Sequence, residues 1–177
     1  MTPKAVLVGL PGTGKTTAGR QLAKRLDVPF ADSDDLVEQR ARRSVRAIFE
    51  QDGEAGFRQA EAEVVGAALT AFDGVLALGG GAVLAAETRE ALAVSGVPIV
   101  WLRAELPTLA NRVGRAQDRP LLSGDPVGRL AQLSAERQAL YESVATVVVD
   151  AEQRGPKRVA AVIAAALSEL ARPVRRT

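Results

Sequence analysis

Residues 9–16 read G-L-P-G-T-G-K-T, and no other stretch constrains the chain as strongly. The spacing is glycine, four residues, then Gly-Lys-Thr, which is that of a loop that cradles phosphates. Its glycines allow positive φ and bring backbone N–H groups close to phosphate oxygens. Lys15 adds a compact positive charge for the β- and γ-phosphates. Thr16 offers a hydroxyl to Mg²⁺. The apolar run 5–8 comes just before the loop and reads as a buried strand, and residues 16–26 follow with helical spacing (Ala18, Leu22, Ala23, Leu26). Strand, loop and helix N-terminus is the setting such a loop needs. A plain Gly-rich turn capping a helix is the alternative, and this setting disfavours it.

Composition narrows the chemistry. The 177 residues suit one domain, 1–177, and 47% hydrophobic with 25% charged residues is ordinary for a globular chain. Cysteine and histidine are both absent. That removes disulfides, thiol chemistry, the usual general base and the usual zinc ligands. Acid–base work must fall to Asp, Glu, Lys or water. The net charge is only +2 although the isoelectric point is near 9.4, because nothing titrates between the carboxylates and the amines. With 3% aromatics, a stacking surface for nucleic acid is not expected. The basic cluster Arg40, Arg42, Arg43 and Arg46 reads as a solvated helical face. The first strand starts within a few residues, which leaves no room for a secretory leader. The longest apolar run, 159–167, is about half a membrane span. A cytoplasmic enzyme with no membrane partner is expected.

Strand-like runs alternate with helical patterns. Strands are expected at 5–8, 29–32, 74–78, 98–102 and 145–149. Helices are expected at 16–26, 34–42, 44–53, 54–69, 86–94, 106–113, 125–141 and 156–171, with the 44–53 helix stopping near Gly53 and Asp125-Pro126 opening the one at 125. About five near-continuously apolar strands separated by helices predict an α/β fold, a parallel sheet flanked by helices on both faces. Ligands then belong at the carboxyl ends of the strands. The unusual polar clusters fall there.

Asp32-Ser33-Asp34 follows the second strand. Two acids there can help position a metal and take a proton from an acceptor hydroxyl, while Ser33 or Asp34 as a helix N-cap is the structural alternative. Arg58 and Glu61 stand three apart, and by themselves read as a helix-surface ion pair. Gly79-Gly80-Gly81 ends the third strand at an entropic cost, which suits a ligand against backbone or a tight turn. The loop after Asn111 carries Arg112, Arg115 and Arg119 before Pro120, which suits a mobile lid closing on phosphates or a solvated loop. Periodicity does not decide the setting of Arg137. Asp150 ends V-V-V-D like a metal-supporting acid but lies on the last strand, where a structural or nucleotide-flanking role is expected. Trp101 and Tyr141 read as core or rim residues.

In order, the strings G-L-P-G-T-G-K-T, D-S-D, F-R-x-x-E, L-G-G-G-A, R-P-L-L, E-R-x-x-L-Y and V-D-A-E-Q-R-G-P resemble the shikimate kinase family, over residues from about 4 to 171. The resemblance implies a P-loop kinase fold with a lid at about 112–124 and acceptor-binding helices at about 33–61. It implies transfer of the γ-phosphoryl group of ATP to the 3-hydroxyl of shikimate, with Mg²⁺ as cofactor and a monomer as the working unit. Lys15 and the amides around Gly12, Thr13, Gly14, Thr16 and Thr17 would hold the phosphates. Thr16 would ligate Mg²⁺, and Asp32 would support it through water. Asp34 would meet the acceptor hydroxyl. Arg58 and Arg137 would grip the shikimate carboxylate, with a backbone contact from Gly80. Arg119 would come from the lid to neutralise transferring charge. Arg112, Arg154 and Pro156 would border the adenine. One departure is Ala139, where the family often has proline before Leu-Tyr.

The chemistry is coherent on its own terms. Paired guanidinium hydrogen bonds suit a carboxylate. An aspartate suits a hydroxyl and would repel an acceptor that already bears phosphate, which argues against a nucleotide kinase. A gluconate-type sugar-acid kinase would want the same residue types and is the alternative of the same fold. A GTPase would need N-K-x-D, which does not occur, and D-P-V-G at 125–128 falls at a helix start. An ATP-binding regulatory module is the third rival, against which the full set of acids and arginines speaks.

Overall fold

The computed structural model describes residues 1–114, 125–152 and 154–172. Five parallel strands make one sheet. They are β1 (Ala5–Val8), β2 (Phe30–Asp32), β3 (Val75–Ala77), β4 (Ile99–Arg103) and β5 (Val147–Asp150), in the order β2-β3-β1-β4-β5. The helices are α1 (Lys15–Leu26), α2 (Ser33–Ala41), α3 (Val45–Ala71), α4 (Ala86–Val94), α5 (Leu106–Gly114), α6 (Pro126–Val144) and α7 (Pro156–Leu170).

Strand periodicity builds two cores. Side chains alternate between the faces of a strand. Ala5 and Leu7 of β1, Val75 and Ala77 of β3, and Val100 and Leu102 of β4 meet Leu22 of α1 and Ile163 of α7 on one face. Val6, Val8, Leu76, Ile99 and Trp101 meet Val65 of α3, Leu92 of α4, Leu109 of α5 and Leu130 of α6 on the other. Every residue of β1 is buried, and β1 lies between β3 and β4. The phosphate loop therefore leaves the best-anchored strand of the sheet. A smaller cluster, Val37, Ile48, Phe57 and Val64, joins α2 to α3.

The expected elements stand within a few residues of those observed. The two helices expected at 44–53 and 54–69 run on as one element with a break. Gly53 sits inside α3 at φ 71° and ψ −178°, a left-handed position open to glycine, and the chain turns there without a loop. Ser44 caps the first half by accepting from the Ala47 amide at 3.2 Å. Asp125 caps α6, accepting from the Gly128 amide at 3.0 Å. Helix α6 runs three residues beyond the expected end at Tyr141, because Val144 is buried in the core. A short 3₁₀ turn, Ala82–Leu84, was not expected.

The structure adds detail to three of the sequence readings. Arg112, counted both in the expected helix 106–113 and with the arginines of the following loop, lies on α5, whose apolar face is anchored by Leu109. Asp150 ends the edge strand β5, two strands from β1, and accepts from the Glu152 amide at 2.7 Å, so it shapes a turn. The basic cluster is solvated but not unpaired. Arg40 bonds Glu63 at 2.6 Å, Arg43 bonds Asp52 at 2.5 Å and Arg46 bonds Glu50 at 2.8 Å.

Gly19 of α1 faces β2 so closely that a Cβ there would stand 2.5 Å from Phe30 Cε2 and 3.1 Å from Leu7 Cδ1. Gly19→Val should overpack this contact and destabilise the protein by about 1–3 kcal/mol in urea unfolding. An unchanged midpoint would show that α1 can lift off the sheet without loss.

Candidate active site

The loop after β1 is shaped by glycines at positive φ: Gly9 at 142°, Gly12 at 85° and Gly14 at 88°. A Cβ on Gly9 would collide with the Leu102 carbonyl of β4. Gly14 is the N-cap of α1 and supplies no side-chain cap, so the first-turn amides of α1 remain available to an anion. Thr13 Oγ1 donates to the Leu10 carbonyl at 2.8 Å and Thr17 Oγ1 to the Gly14 carbonyl at 3.0 Å, which stiffens the loop. Lys15 Nζ folds back across it and donates to the carbonyls of Gly9 at 2.7 Å and Leu10 at 3.1 Å.

The second cluster touches the first. Thr16 Oγ1 donates to Asp32 Oδ2 at 2.9 Å, and the Asp34 amide donates to Asp32 Oδ1 at 3.2 Å. The cap of α2 is thus Asp32, not Ser33 or Asp34. Ser33 is instead fully buried and joins two other elements. Its Oγ accepts from the Gly79 amide at 2.8 Å and donates to Glu61 Oε1 at 3.2 Å. Asp34, freed from capping, faces the cavity.

The Arg58–Glu61 pair is the main correction. It is not on the surface. Glu61 is 1% exposed, and Arg58 Nη1 donates to its Oε2 at 2.5 Å. The second half of α3 lies against the glycine triplet, and this covers the pair. The triplet has no room for side chains. A Cβ on Gly79 would stand 2.6 Å from Glu61 Oε1 and 2.9 Å from Asp34 Oδ1, one on Gly80 2.9 Å from Pro11 Cδ, and one on Gly81 would overlap the Arg58 guanidinium. Tyr141 is buried in the core, as expected, yet its hydroxyl also donates to the Gly80 carbonyl at 2.5 Å. Ser33, Glu61 and Tyr141 are the residues that sequence reasoning did not place in the site. The strings D-S-D, F-R-x-x-E and L-Y contained them, but none of these strings signals burial.

Lys15, Thr16, Asp32, Asp34, Arg58, Gly80 and Arg137 meet in one cavity of about 410 Å³. Arg137 is 7% exposed, and the Nε atoms of Arg58 and Arg137 are both buried without a hydrogen-bond partner. Buried donors left unpaired are costly, so the pair suits an anionic ligand. Burial pushes the Asp34 carboxyl up to about 6, helped by the charges of Glu61 and Asp32 and opposed by Lys15 and Arg58. Burial also raises Glu61, against the pull of Arg58 and Ser33. A second cavity of about 160 Å³ lies on the outer side of the loop and includes Thr13, Thr17, Arg112, Arg154 and Pro156. Arg112 spans it, donating to the carbonyls of Ala151 at 3.1 Å and Gly12 at 3.5 Å. Arg119 and the rest of the expected lid, 115–124, lie outside the described residues.

The donors at Thr16 and Asp32 are hard oxygens beside the loop, which fits Mg²⁺, an ion that takes one or two protein oxygens along with phosphates and water. Among the described residues no group of three or more acidic, His or Cys side chains could hold a metal unaided. No helix of the described residues is long and apolar enough to cross a membrane.

A phosphate loop on the central strand of a β2-β3-β1-β4-β5 parallel sheet, opening into a charged cavity, defines a P-loop kinase fold. The shikimate kinase family model matches residues 11–168. A shikimate kinase of Mycobacterium avium is 49% identical over 168 residues, 94% of each chain. The structure of a shikimate kinase from Acinetobacter baumannii in complex with shikimate superposes with a TM-score of 0.90 at 33% identity, covering 98% of this chain and 96% of that one. The chain belongs to the shikimate kinase family. A gluconokinase from Sinorhizobium meliloti shares the fold alone, with a TM-score of 0.60 and 19% identity over 96% of this chain and 94% of that one.

Asp34 gives a pH signature. A carboxyl raised from 3.8 to about 6 stabilises the fold most below pH 3.8, and that contribution is lost as pH rises through 6. At pH 7.5 the buried charge costs at most about 3 kcal/mol. Asp34→Asn should therefore be more stable than the parent at pH 7.5, with the gain shrinking as pH is lowered towards 4. Thermal unfolding of both proteins across this range checks it, and a pH-independent difference would contradict it.

Proposed function

We propose that this chain phosphorylates shikimate, transferring the γ-phosphoryl group of ATP to the 3-hydroxyl, with residue roles that follow from the cavity. The observation that carries the reading is the pair of guanidiniums of Arg58 and Arg137, each with a buried and unpartnered Nε, in the cavity that also holds Lys15 and Asp34. A compact hydroxy-acid satisfies both ends. Its carboxylate meets Arg58 and Arg137, with a backbone contact at Gly80, and its hydroxyl meets Asp34.

Lys15 and the amides of Gly12, Thr13, Gly14, Thr16 and Thr17 hold the phosphates. Lys15 leaves the Gly9 and Leu10 carbonyls for the β- and γ-phosphates when the nucleotide enters. Thr16 and Asp32 hold Mg²⁺, Asp32 through water, and the bound ion neutralises charge on the phosphates. Arg112, Arg154 and Pro156 border the adenine. Arg119 approaches the transferring group from the lid. Phosphoryl transfer is largely a matter of positioning and charge neutralisation. Asp34 orients the acceptor hydroxyl and accepts its proton late. With its pKa near 6, Asp34 is a better base than a solvated aspartate and is still ionised at pH 7. Both substrate subsites are built from one chain, so a monomer suffices. We assign the work to the cytoplasm, with no membrane or nucleic-acid partner.

Coupled detection of ADP with ATP, Mg²⁺ and either shikimate or gluconate tests the reaction. Shikimate-dependent release is expected, and release with gluconate alone would overturn the reading. Lys15→Ala should nearly abolish turnover while leaving the fold intact by circular dichroism. Arg58→Ala should weaken shikimate, seen as a higher KM, by about 2–5 kcal/mol with the ATP KM little changed. A normal shikimate KM would show that Arg58 serves Glu61 alone.

A further inference from the structure

Arg137 and Tyr141 are four residues apart on α6 and share one face of it. Tyr141 is 1% exposed. Arg137 stands near enough for its charge to oppose that burial and lower the phenol. The Tyr141 hydroxyl donates to the Gly80 carbonyl, 2.5 Å away. Burial raises this phenol to about 12, which keeps it a donor throughout the working range.

The glycine turn shows why that proton matters. The Gly79 carbonyl accepts from the Ala82 amide at 3.0 Å and the Gly81 carbonyl from the Leu84 amide at 2.9 Å. Tyr141 takes the remaining carbonyl. All three acceptors of the triplet are thus engaged by protein. The Gly79 amide is held by Ser33. The amides of Gly80 and Gly81 have no partner among the described residues, and the triplet lines the cavity. The turn therefore offers the cavity donors and withholds its acceptors, which suits an anion. A glycine peptide rotates at little cost, so something must hold the Gly80 carbonyl away.

We propose that Tyr141 is a positioning residue of the acceptor subsite: its hydroxyl ties α6, which carries Arg137 one turn earlier on the same face, to the Gly80 carbonyl, and so holds two shikimate-binding groups from separate elements in one geometry. The proposal rests on the acceptor reading above. It separates Tyr141 from its other role, packing against Trp101 with ring centroids 5.9 Å apart.

Tyr141→Phe keeps the ring and removes only the hydroxyl. The shikimate KM should rise at least fivefold, with the ATP KM within twofold. Trp101→Phe disturbs the same ring pair and spares the hydroxyl. It should lower the unfolding temperature and leave the shikimate KM within twofold. A rise of less than fivefold in Tyr141→Phe, a matching rise in the ATP KM, or an equal effect from Trp101→Phe would each overturn the proposal. If Tyr141→Phe does not fold, labelling decides, because Tyr141 is the one tyrosine of the chain. The ¹⁹F resonance of protein grown with 3-fluorotyrosine should shift on adding shikimate and hold still with ADP, and the absence of a shikimate shift would refute the role. Absence of shikimate-dependent ADP release in the parent enzyme would sink the acceptor reading itself, a result distinct from all of these.

Discussion

Glu61 is a carboxylate at 1% exposure, and the acceptor side of the site is organised around it. A buried charge persists only where it is paired and hydrogen-bonded. Arg58 supplies the pair and Ser33 the second hydrogen bond. Through these contacts one side chain of α3 aims a guanidinium into the cavity, fastens the start of α2, and reaches the end of β3 where Ser33 accepts from Gly79. The same charge helps raise Asp34. A surface Glu–Arg pair could do none of this, since solvent would screen it and leave both side chains mobile.

The two halves of the site share a seam at Asp32. One oxygen takes the Thr16 hydroxyl and the other the Asp34 amide. The phosphate loop and helix α2 are therefore set relative to each other by a single carboxylate at a strand end. In-line transfer needs this kind of fixed separation, because misplacement by about 1 Å can cost 10²-fold in rate. Charges of both signs meet in the cavity, Lys15, Arg58 and Arg137 together with Asp32, Asp34, Asp35 and Glu38.

Much of this was legible in the chain. The phosphate loop is contiguous, and its glycines need positive φ wherever the fold places them, so Gly9, Gly12 and Gly14 could be read directly. The alternation of apolar strands and helices anticipated the parallel sheet. The glycine triplet signalled a close approach, although not that Glu61, Pro11 and Arg58 would be the neighbours. The misreadings share a cause. An Arg and a Glu three apart look the same on a wet helix and on a buried one. A serine before an aspartate looks like a cap, and a tyrosine in an apolar helix looks like packing alone. In each case the deciding contact comes from a residue at least 28 positions away: Ser33 for Glu61, Gly79 for Ser33, Gly80 for Tyr141.

The sequence by itself determined the local chemistry: a loop that can wrap phosphates, strands buried on both faces, helices that start at Ser44 and Asp125, and a reaction without histidine or cysteine. Those features depend on neighbours within a few residues, and propensity and spacing carry them. Only the tertiary structure decided which charges are buried, that Asp32 caps α2, and which hydroxyls hold the glycine turn. Burial and pKa depend on what packs over a group from elsewhere in the chain, and that is settled only when the sheet order brings β1, β3 and the helices beside them together.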